Sequence, residues 1–188
     1  ANMSASAPGK AFTVVTTSNN IQVAVFGVMG RIFMNLPCDD PFAACDRVLG
    51  SVPKSVLVRV CDVHAEASSE KIALGHWLDG RCSFVFGTHT HVPTADARVT
   101  SRGTAYISDV GMCGPYDSVL GRRKDRVLQY MTTAQPAPFD VATGDVKMCG
   151  ALAEIDEATG KGLSIERIEI QGANVDQAYD ADDKSERN

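Results

Sequence analysis

Three of the chain's four histidines lie in two short segments. His64 falls within residues 61–66, which read CDVHAE, and His89 and His91 fall within residues 87–91, which read GTHTH. Neutral imidazole is a good ligand for zinc, iron, manganese and cobalt. The two segments therefore predict a metal site, provided that the fold brings them together.

The elements around these segments predict that they meet. Residues 56–61 and 82–86 are short runs rich in β-branched or aromatic residues and predict buried strands. The segment between them, from Ser68 to about Leu78, predicts a helix. We expect Ile72 and either Leu74 or Trp77 to face inward. Such a β-α-β unit places its strands parallel in one sheet. All three histidines then follow carboxyl ends of strands, at the rim where open α/β sheets bind ligands.

Four neighbouring polar residues are candidates for supporting this site. Asp62 or Glu66 could orient a ligating ring by accepting its second N–H. In extended backbone, His89 and His91 would project to one side, leaving Thr88 and Thr90 for supporting hydrogen bonds or for the substrate side. A hydrolytic centre would add carboxylates or an amide oxygen and an open position for water.

Less specific interpretations compete with the metal site. A lone His-x-His is more often a pair of hydrogen-bonded residues at a strand end, but the convergence of three histidines favours ligation. His76, inside the predicted helix, is interpreted as structural or exposed. Cys61, three residues before His64, and Cys113 are candidate nucleophiles, but core packing is the stronger interpretation for thiols in such runs.

Composition narrows the class of protein. The 188 residues include 18 Lys and Arg against 23 Asp and Glu, so no general basic field is available for nucleic acid. The longest apolar stretches are far short of the roughly 20 residues that span a bilayer. The six cysteines form no CxxC pair and the amino end has no secretory signal, so reduced thiols and a cytoplasmic location are expected.

The remaining segments predict a mixed α/β protein. We expect a hairpin of residues 11–16 and 21–26, a helix over 41–50 capped by Asp40, a strand over 104–108 and a helix over 122–131. Residues 146–155 and 163–170 predict a second hairpin, and Gly111, Gly114 and Pro115 a tight turn. From residue 172 the chain is acidic and polar, which predicts a disordered tail.

Longer strings around these motifs resemble a known family. Residues 62–71 (DVHAEASSEK), 87–96 (GTHTHVPTAD) and 103–112 (GTAYISDVGM) resemble the YmdB-like branch of the calcineurin-type metallophosphoesterases. The likeness extends to residues 8–10, 30–33, 41–42 and 155–161, so it covers nearly all of the chain except the acidic tail.

The resemblance implies a fold and a metal centre. It implies an α/β/β/α sandwich, with residues 1–171 as the C-terminal portion of a metallophosphoesterase domain, and two divalent metal ions, iron or manganese, with zinc as a third option. In the family, the positions matching His64, His89 and His91 are metal ligands. We expect the other ligands (an Asp, a Glu followed by Asn, and an Asn in a Gly-Asn-His motif) and the catalytic general acid in a region preceding Ala1.

The resemblance also implies a function. It indicates a metal-dependent phosphodiesterase that hydrolyses 2',3'-cyclic nucleotides, or an RNA-derived phosphodiester, through a metal-activated hydroxide, in a cytoplasmic homo-oligomer. One alternative is a truncated, catalytically silent module that binds partners or oligomerises. A second is a zinc hydrolase with a single ion held by the three histidines. Turnover and the number of metal ions per chain distinguish the three.

Overall fold

The structure, a computed structural model, describes residues 1–4 and 6–172. The chain divides into two compact units, one formed by Ala1–Gly111 with Ala151–Arg167 and the other by Met112–Gly150 with residues 168–172. The assignment of residues 1–171 to one metallophosphoesterase domain stays a prediction. Beyond Gly172, the predicted acidic tail lies outside the described residues.

A six-stranded sheet organises the first unit. Its strands are β1 (Thr13–Thr16), β2 (Gln22–Met29), β3 (Val58–His64), β4 (Phe84–Thr88), β5 (Arg98–Val99) and β6 (Ala105–Ile107), in the order β1-β2-β3-β4-β6-β5. Strands β2, β3, β4 and β6 run parallel, while β1 and β5 pair antiparallel at the two edges. The mixed α/β class, the first hairpin and the β-α-β unit are confirmed.

Two helices cover one face of this sheet. In α1 (Pro41–Ser51), the predicted cap is confirmed because the Asp40 side chain accepts a hydrogen bond from the amide of Phe42. In α2 (Ser68–Leu78), which has no side-chain cap, Leu74 is buried as predicted. The core joins side chains of both helices to those of β2, β3, β4 and β6, among them Val48, Leu74, Leu78, Phe26, Val28, Cys61, Val63, Val85 and Tyr106.

The inward side of α2 differs from the prediction at Ile72. Ile72 is exposed, so its expected inward orientation is wrong, and of the alternatives Leu74 and Trp77 it is Leu74 that is buried. The buried side of the helix includes Gly75, which packs so closely on the Tyr106 ring that a Cβ there would lie 2.4 Å from a ring carbon. Only a residue without a side chain allows that approach, and the buried apolar residues of the helix are Leu74, Leu78 and this glycine.

The second unit contains one helix and parts of a second sheet. Strand β7 (Cys113–Pro115) pairs antiparallel with β8 (Val146–Ile155), and β9 (Gly162–Gln171) completes the sheet in the order β7-β8-β9. The second hairpin is therefore confirmed, whereas the tight turn expected at Gly114 and Pro115 is wrong because these residues pair in β7. Helix α3 (Lys124–Thr133) begins two residues later than expected, after Arg123. No described helix is long and apolar enough to cross a membrane.

Candidate metal centre

Strand register places three of the predicted residues side by side. Both strands of the β-α-β unit begin and end later in the sequence than expected. His64 and Thr88 are the last residues of β3 and β4, and they stand opposite each other. Side chains alternate along a strand, so Asp62 and His64 share the face turned away from buried Cys61. The sheet therefore places Asp62 and His64, two residues apart on β3, beside Thr88 of β4.

A continuous hydrogen-bond chain connects these side chains. The Thr88 hydroxyl donates to Asp62 Oδ1 over 2.8 Å and lies 3.0 Å from His64 Nδ1. His64 Nε2 lies 3.1 Å from His89 Nδ1, and His89 Nε2 lies 3.0 Å from Glu66 Oε2. Glu66 and Thr88 thus contact histidine rings, and Asp62 contacts Thr88 rather than a ring. That these residues support metal ligands stays a prediction.

The donor and acceptor roles along these hydrogen bonds determine which ring nitrogen of His64 carries the hydrogen. Because the Thr88 hydrogen is given to Asp62, its oxygen accepts the Nδ1 hydrogen of His64. His64 Nε2 then carries a lone pair, which faces His89 Nδ1 at 3.1 Å. A lone pair on Nε2 is also what ligation requires.

Burial shifts the charge state of His64 in the direction that ligation needs. Desolvation lowers the pKa of His64, and the neighbouring His89 ring lowers it further. Desolvation also raises the pKa of Asp62, although the hydrogen bond from Thr88 opposes that shift. The neutral form of His64, which is the form that binds metals, is therefore favoured.

The histidine pair fits two ligands of one ion. Two nitrogens that each lie about 2.0–2.1 Å from a shared ion are separated by about 2.9–3.4 Å for octahedral to tetrahedral angles. The 3.1 Å between His64 Nε2 and His89 Nδ1 falls within that range. Across residues 1–4 and 6–172, however, no group of three or more His, Cys, Asp or Glu side chains is arranged to hold a metal. The pair is consistent with part of a metal centre.

The segment after β4 is not extended. His89 and His91 have φ angles of 101° and 65°, in the left-handed region, so the expectation that extended backbone aligns their side chains is wrong. Such angles are uncommon for a residue with a side chain and cost about 1–3 kcal/mol each. We call residues 89–91 the histidine loop. It brings His89 onto His64 and carries His91 at an exposed position.

Close backbone packing bends the histidine loop back. A Cβ on Gly87 would lie 1.7 Å from the carbonyl oxygen of Ser108, so only glycine allows this approach. The Val110 amide donates to the Gly87 carbonyl over 3.0 Å. Next along the chain, the Thr90 amide and hydroxyl both donate to Asp109 Oδ2, over 3.1 and 2.6 Å. Thr90 therefore anchors the loop rather than facing a substrate.

A second loop lies at the same end of the sheet, after β2. We call residues 30–33 the Arg31 loop. It begins where the Gly30 amide donates to the carbonyl of His64 over 2.8 Å. The amides of Arg31 and Ile32 donate to the carboxylate of Glu70 over 2.9 to 3.2 Å. Phe33 follows with a φ of 60° and a side chain that is 87% exposed.

Three buried ionisable residues next to the site were missed by the sequence interpretation. Glu70 and Lys71 are neighbours in the first turn of α2 and are 5% and 2% exposed, and Asp109, two residues after β6, is 1% exposed. Lys71 Nζ donates to Asp109 Oδ2 over 2.7 Å. The available signal was spacing, because Lys71 lies three, four and seven residues before Leu74, Gly75 and Leu78 on the inward side of the helix.

The competing interpretations of single residues are settled by burial. Cys61 is fully buried in the core, and desolvation raises the pKa of its thiol well above the ordinary value, so it is not an activated nucleophile. All six cysteines are free thiols, as expected, but Cys113 is exposed, so the core-packing interpretation is wrong for that residue. His76 is exposed, which is one of the two states expected for it.

Comparison with known proteins identifies the class. The family described as YmdB-like protein matches residues 1–168, and the chain belongs to that family. It is 45% identical over 170 residues to a Bacillus subtilis (strain 168) protein named 2',3'-cyclic-nucleotide 2'-phosphodiesterase, and the match covers 90% of this chain and 64% of that relative.

Two solved structures share the fold. A protein from Thermus thermophilus, described as hypothetical, matches 92% of this chain and 66% of its own with a TM-score of 0.84 and 40% identity. A structure described as a novel phosphatase, from Mycoplasma pneumoniae, matches 90% of this chain and 62% of its own with a TM-score of 0.82 and 30% identity. The chain thus spans slightly less than two thirds of these relatives.

Proposed function

We propose that this chain carries the histidine part of a metal-dependent phosphodiesterase active on 2',3'-cyclic nucleotides. The observation that carries the proposal is the pair of ring nitrogens, His64 Nε2 and His89 Nδ1, held 3.1 Å apart at the ends of adjacent parallel strands. The name of the Bacillus subtilis relative supports the substrate class. His91, on the same loop, is proposed as the third nitrogen ligand.

Each residue of the hydrogen-bond chain has a role in this proposal. Asp62 and Thr88 hold the hydrogen of His64 on Nδ1, which keeps the Nε2 lone pair turned toward His89. Glu66 accepts from His89 Nε2 and so fixes the orientation of that ring. When bound, a divalent ion supplies positive charge for the phosphoryl oxygens and acidifies a water for attack on phosphorus.

The finer parts of the proposal follow the family resemblance. Two divalent ions, iron or manganese with zinc as a further option, are proposed because the resemblance to the metallophosphoesterases implies a dinuclear centre. The general acid and the remaining ligands belong to residues outside this chain. An RNA-derived substrate, a homo-oligomer and a cytoplasmic location stay predictions.

Metal titration and hydrolysis test the proposal together. We expect Mn²⁺ to bind the chain in calorimetry, and both His64→Ala and His89→Ala to weaken that binding strongly. The matched control is His76→Ala, which removes an exposed histidine in α2 and leaves binding unchanged. Hydrolysis of 2',3'-cyclic AMP with Mn²⁺, lost in His89→Ala, supports the enzyme.

Three results separate the alternatives. One zinc ion per chain in elemental analysis supports the mononuclear hydrolase. A folded chain that oligomerises and neither binds Mn²⁺ nor turns over substrate supports the silent binding module. Mn²⁺ binding that is identical in the parent and in His89→Ala contradicts the proposed centre.

A further inference from the structure

The anchor of the histidine loop is a buried ion pair that the proposed mechanism does not use. The Asp109 carboxylate accepts four hydrogen bonds, one from Lys71 Nζ, two from Thr90 and one from the Gly111 amide over 2.9 Å. Both partners of the pair are almost completely buried. A buried carboxylate with every bond made is rigid, because moving it would leave charge and donors unpaired.

The hydrogen bonds of Asp109 hold the histidine loop, which indicates a role beyond packing. Besides the Lys71 bond, Asp109 Oδ2 accepts from the amide and the hydroxyl of Thr90, and Thr90 lies between His89 and His91. Both flanking residues hold left-handed backbone angles, which persist only where surrounding contacts enforce them. The side chain of Lys71 also passes Gly87, where a Cβ would lie 3.0 Å from its Cδ.

We propose that Lys71 and Asp109 are a positioning pair that sets the metal-binding geometry of His89 and His91 by fixing the backbone of Thr90. The inference rests on the proposed function, because it assigns to the pair the task of orienting metal ligands. Lys71 and Asp109 contact the loop and not the reacting atoms, and they act only through it. Preorganised ligands bind metal more tightly because the loop loses no freedom on binding.

The neighbouring residue provides a matched control. Glu70 is about as buried as Lys71 and lies beside it in α2, but its hydrogen bonds go to the Arg31 loop. A variant Glu70→Gln therefore disturbs the same helix turn and a similar number of buried hydrogen bonds. It leaves Thr90 and Asp109 untouched.

Substitutions at Thr90 and Asp109 test the pair in the full 188-residue chain. Thr90→Val removes one bond to Asp109 and keeps the ion pair, whereas Thr90→Ser keeps the hydroxyl. We expect Asp109→Asn and Thr90→Val to weaken Mn²⁺ binding about 10- to 100-fold. Thr90→Ser and Glu70→Gln should bind Mn²⁺ as the parent does.

Amide hydrogen exchange of the metal-free chain gives a second measurement. We expect the backbone amide of residue 90 to exchange faster than in the parent in both Asp109→Asn and Thr90→Val. In Glu70→Gln we expect it to exchange at the parent rate. Should Asp109→Asn fail to fold, Thr90→Val decides, since its buried charges stay paired.

The outcomes distinguish this inference from the proposed function. Parent-like Mn²⁺ binding in Thr90→Val and Asp109→Asn, with binding lost in His89→Ala, overturns the positioning pair and leaves the metal site standing. Equal weakening by Glu70→Gln also overturns it, because the effect would then be general destabilisation. A parent chain that fails to bind Mn²⁺ contradicts the proposed function and, with it, the role of the pair in metal binding.

Discussion

The histidine loop and the Arg31 loop are held at the same end of the sheet by adjacent residues of α2, but by different chemistry. Both loops present backbone N–H groups and contain left-handed residues. Glu70 accepts from its loop directly, and it lies in the first turn of α2, where the helix dipole favours negative charge. Lysine has no acceptor, so Lys71 can hold its loop only through Asp109.

The difference shows how much each loop depends on charge. The Arg31 loop needs one carboxylate, whereas the histidine loop needs two opposite charges that are buried together. Removing one member of a buried pair leaves the other uncompensated, which costs far more than losing one hydrogen bond. The loop with the proposed ligands is therefore the more sensitive of the two.

The largest expected effect comes from breaking the ion pair. Lys71→Met leaves the Asp109 carboxylate buried and unpaired, and we expect it to lower the free energy of unfolding by about 3–5 kcal/mol. Glu70→Gln keeps an acceptor for the Arg31 loop and should cost about 1–3 kcal/mol. Urea unfolding measures both. Adding Asp109→Asn to Lys71→Met should recover part of the loss, and equal losses in the two single variants would contradict the comparison.

A smaller effect is expected from the glycines that open each loop. At Gly87 a new Cβ would lie 1.7 Å from a backbone oxygen, and at Gly30 it would lie 2.5 Å from the Ala65 Cβ and from Glu70 Oε2. We expect Gly87→Ala to cost about 3 kcal/mol of unfolding free energy and Gly30→Ala less, since the overlap at Gly30 is smaller. Gly50→Ala, with no atom within 4 Å, is the control and should not destabilise α1. A larger loss at Gly30 would reverse the ranking.

The smallest expected effect is acid sensitivity of the segment that follows the histidine loop. Burial raises the pKa of Asp96, but hydrogen bonds from Ser108 and Thr94 outweigh it and hold the pKa below 3.8. The unfolded state then binds more protons, so this contribution to stability is present above pH 3.8 and is lost as the pH falls further. Asp96→Asn should flatten the decline of unfolding free energy below that pH. An unchanged slope in denaturant titrations would contradict this assignment.

The sequence predicted the elements well because their signals are local. The signals for β3, β4, the helix between them and the cap at Asp40 depend on residues that are close in the sequence. The β-α-β unit predicted from these signals places His64 and His89 at one rim. The left-handed angles of the histidine loop depend on the contact of Gly87 with Ser108, which no local pattern contains.

The buried charges were not predicted for a related reason. A lysine on an amphipathic helix is ordinarily exposed, and Ile72 and Trp77 offered larger apolar side chains for the inward face. Lys71 is buried because Asp109, 38 residues later, supplies the opposite charge. Such pairing is visible only once the sheet brings β6 beside β4.

The unit that carries the site is discontinuous along the chain, with consequences for its synthesis. Residues 112–150 are made before Ala151–Arg167, which complete the first unit. In that returning segment the Gly162 amide donates to the Gly103 carbonyl over 2.7 Å, and a Cβ on Gly160 would lie 2.3 Å from the Leu57 carbonyl oxygen. During synthesis on the ribosome, these contacts of the first unit therefore form only after residues 112–150 have been made.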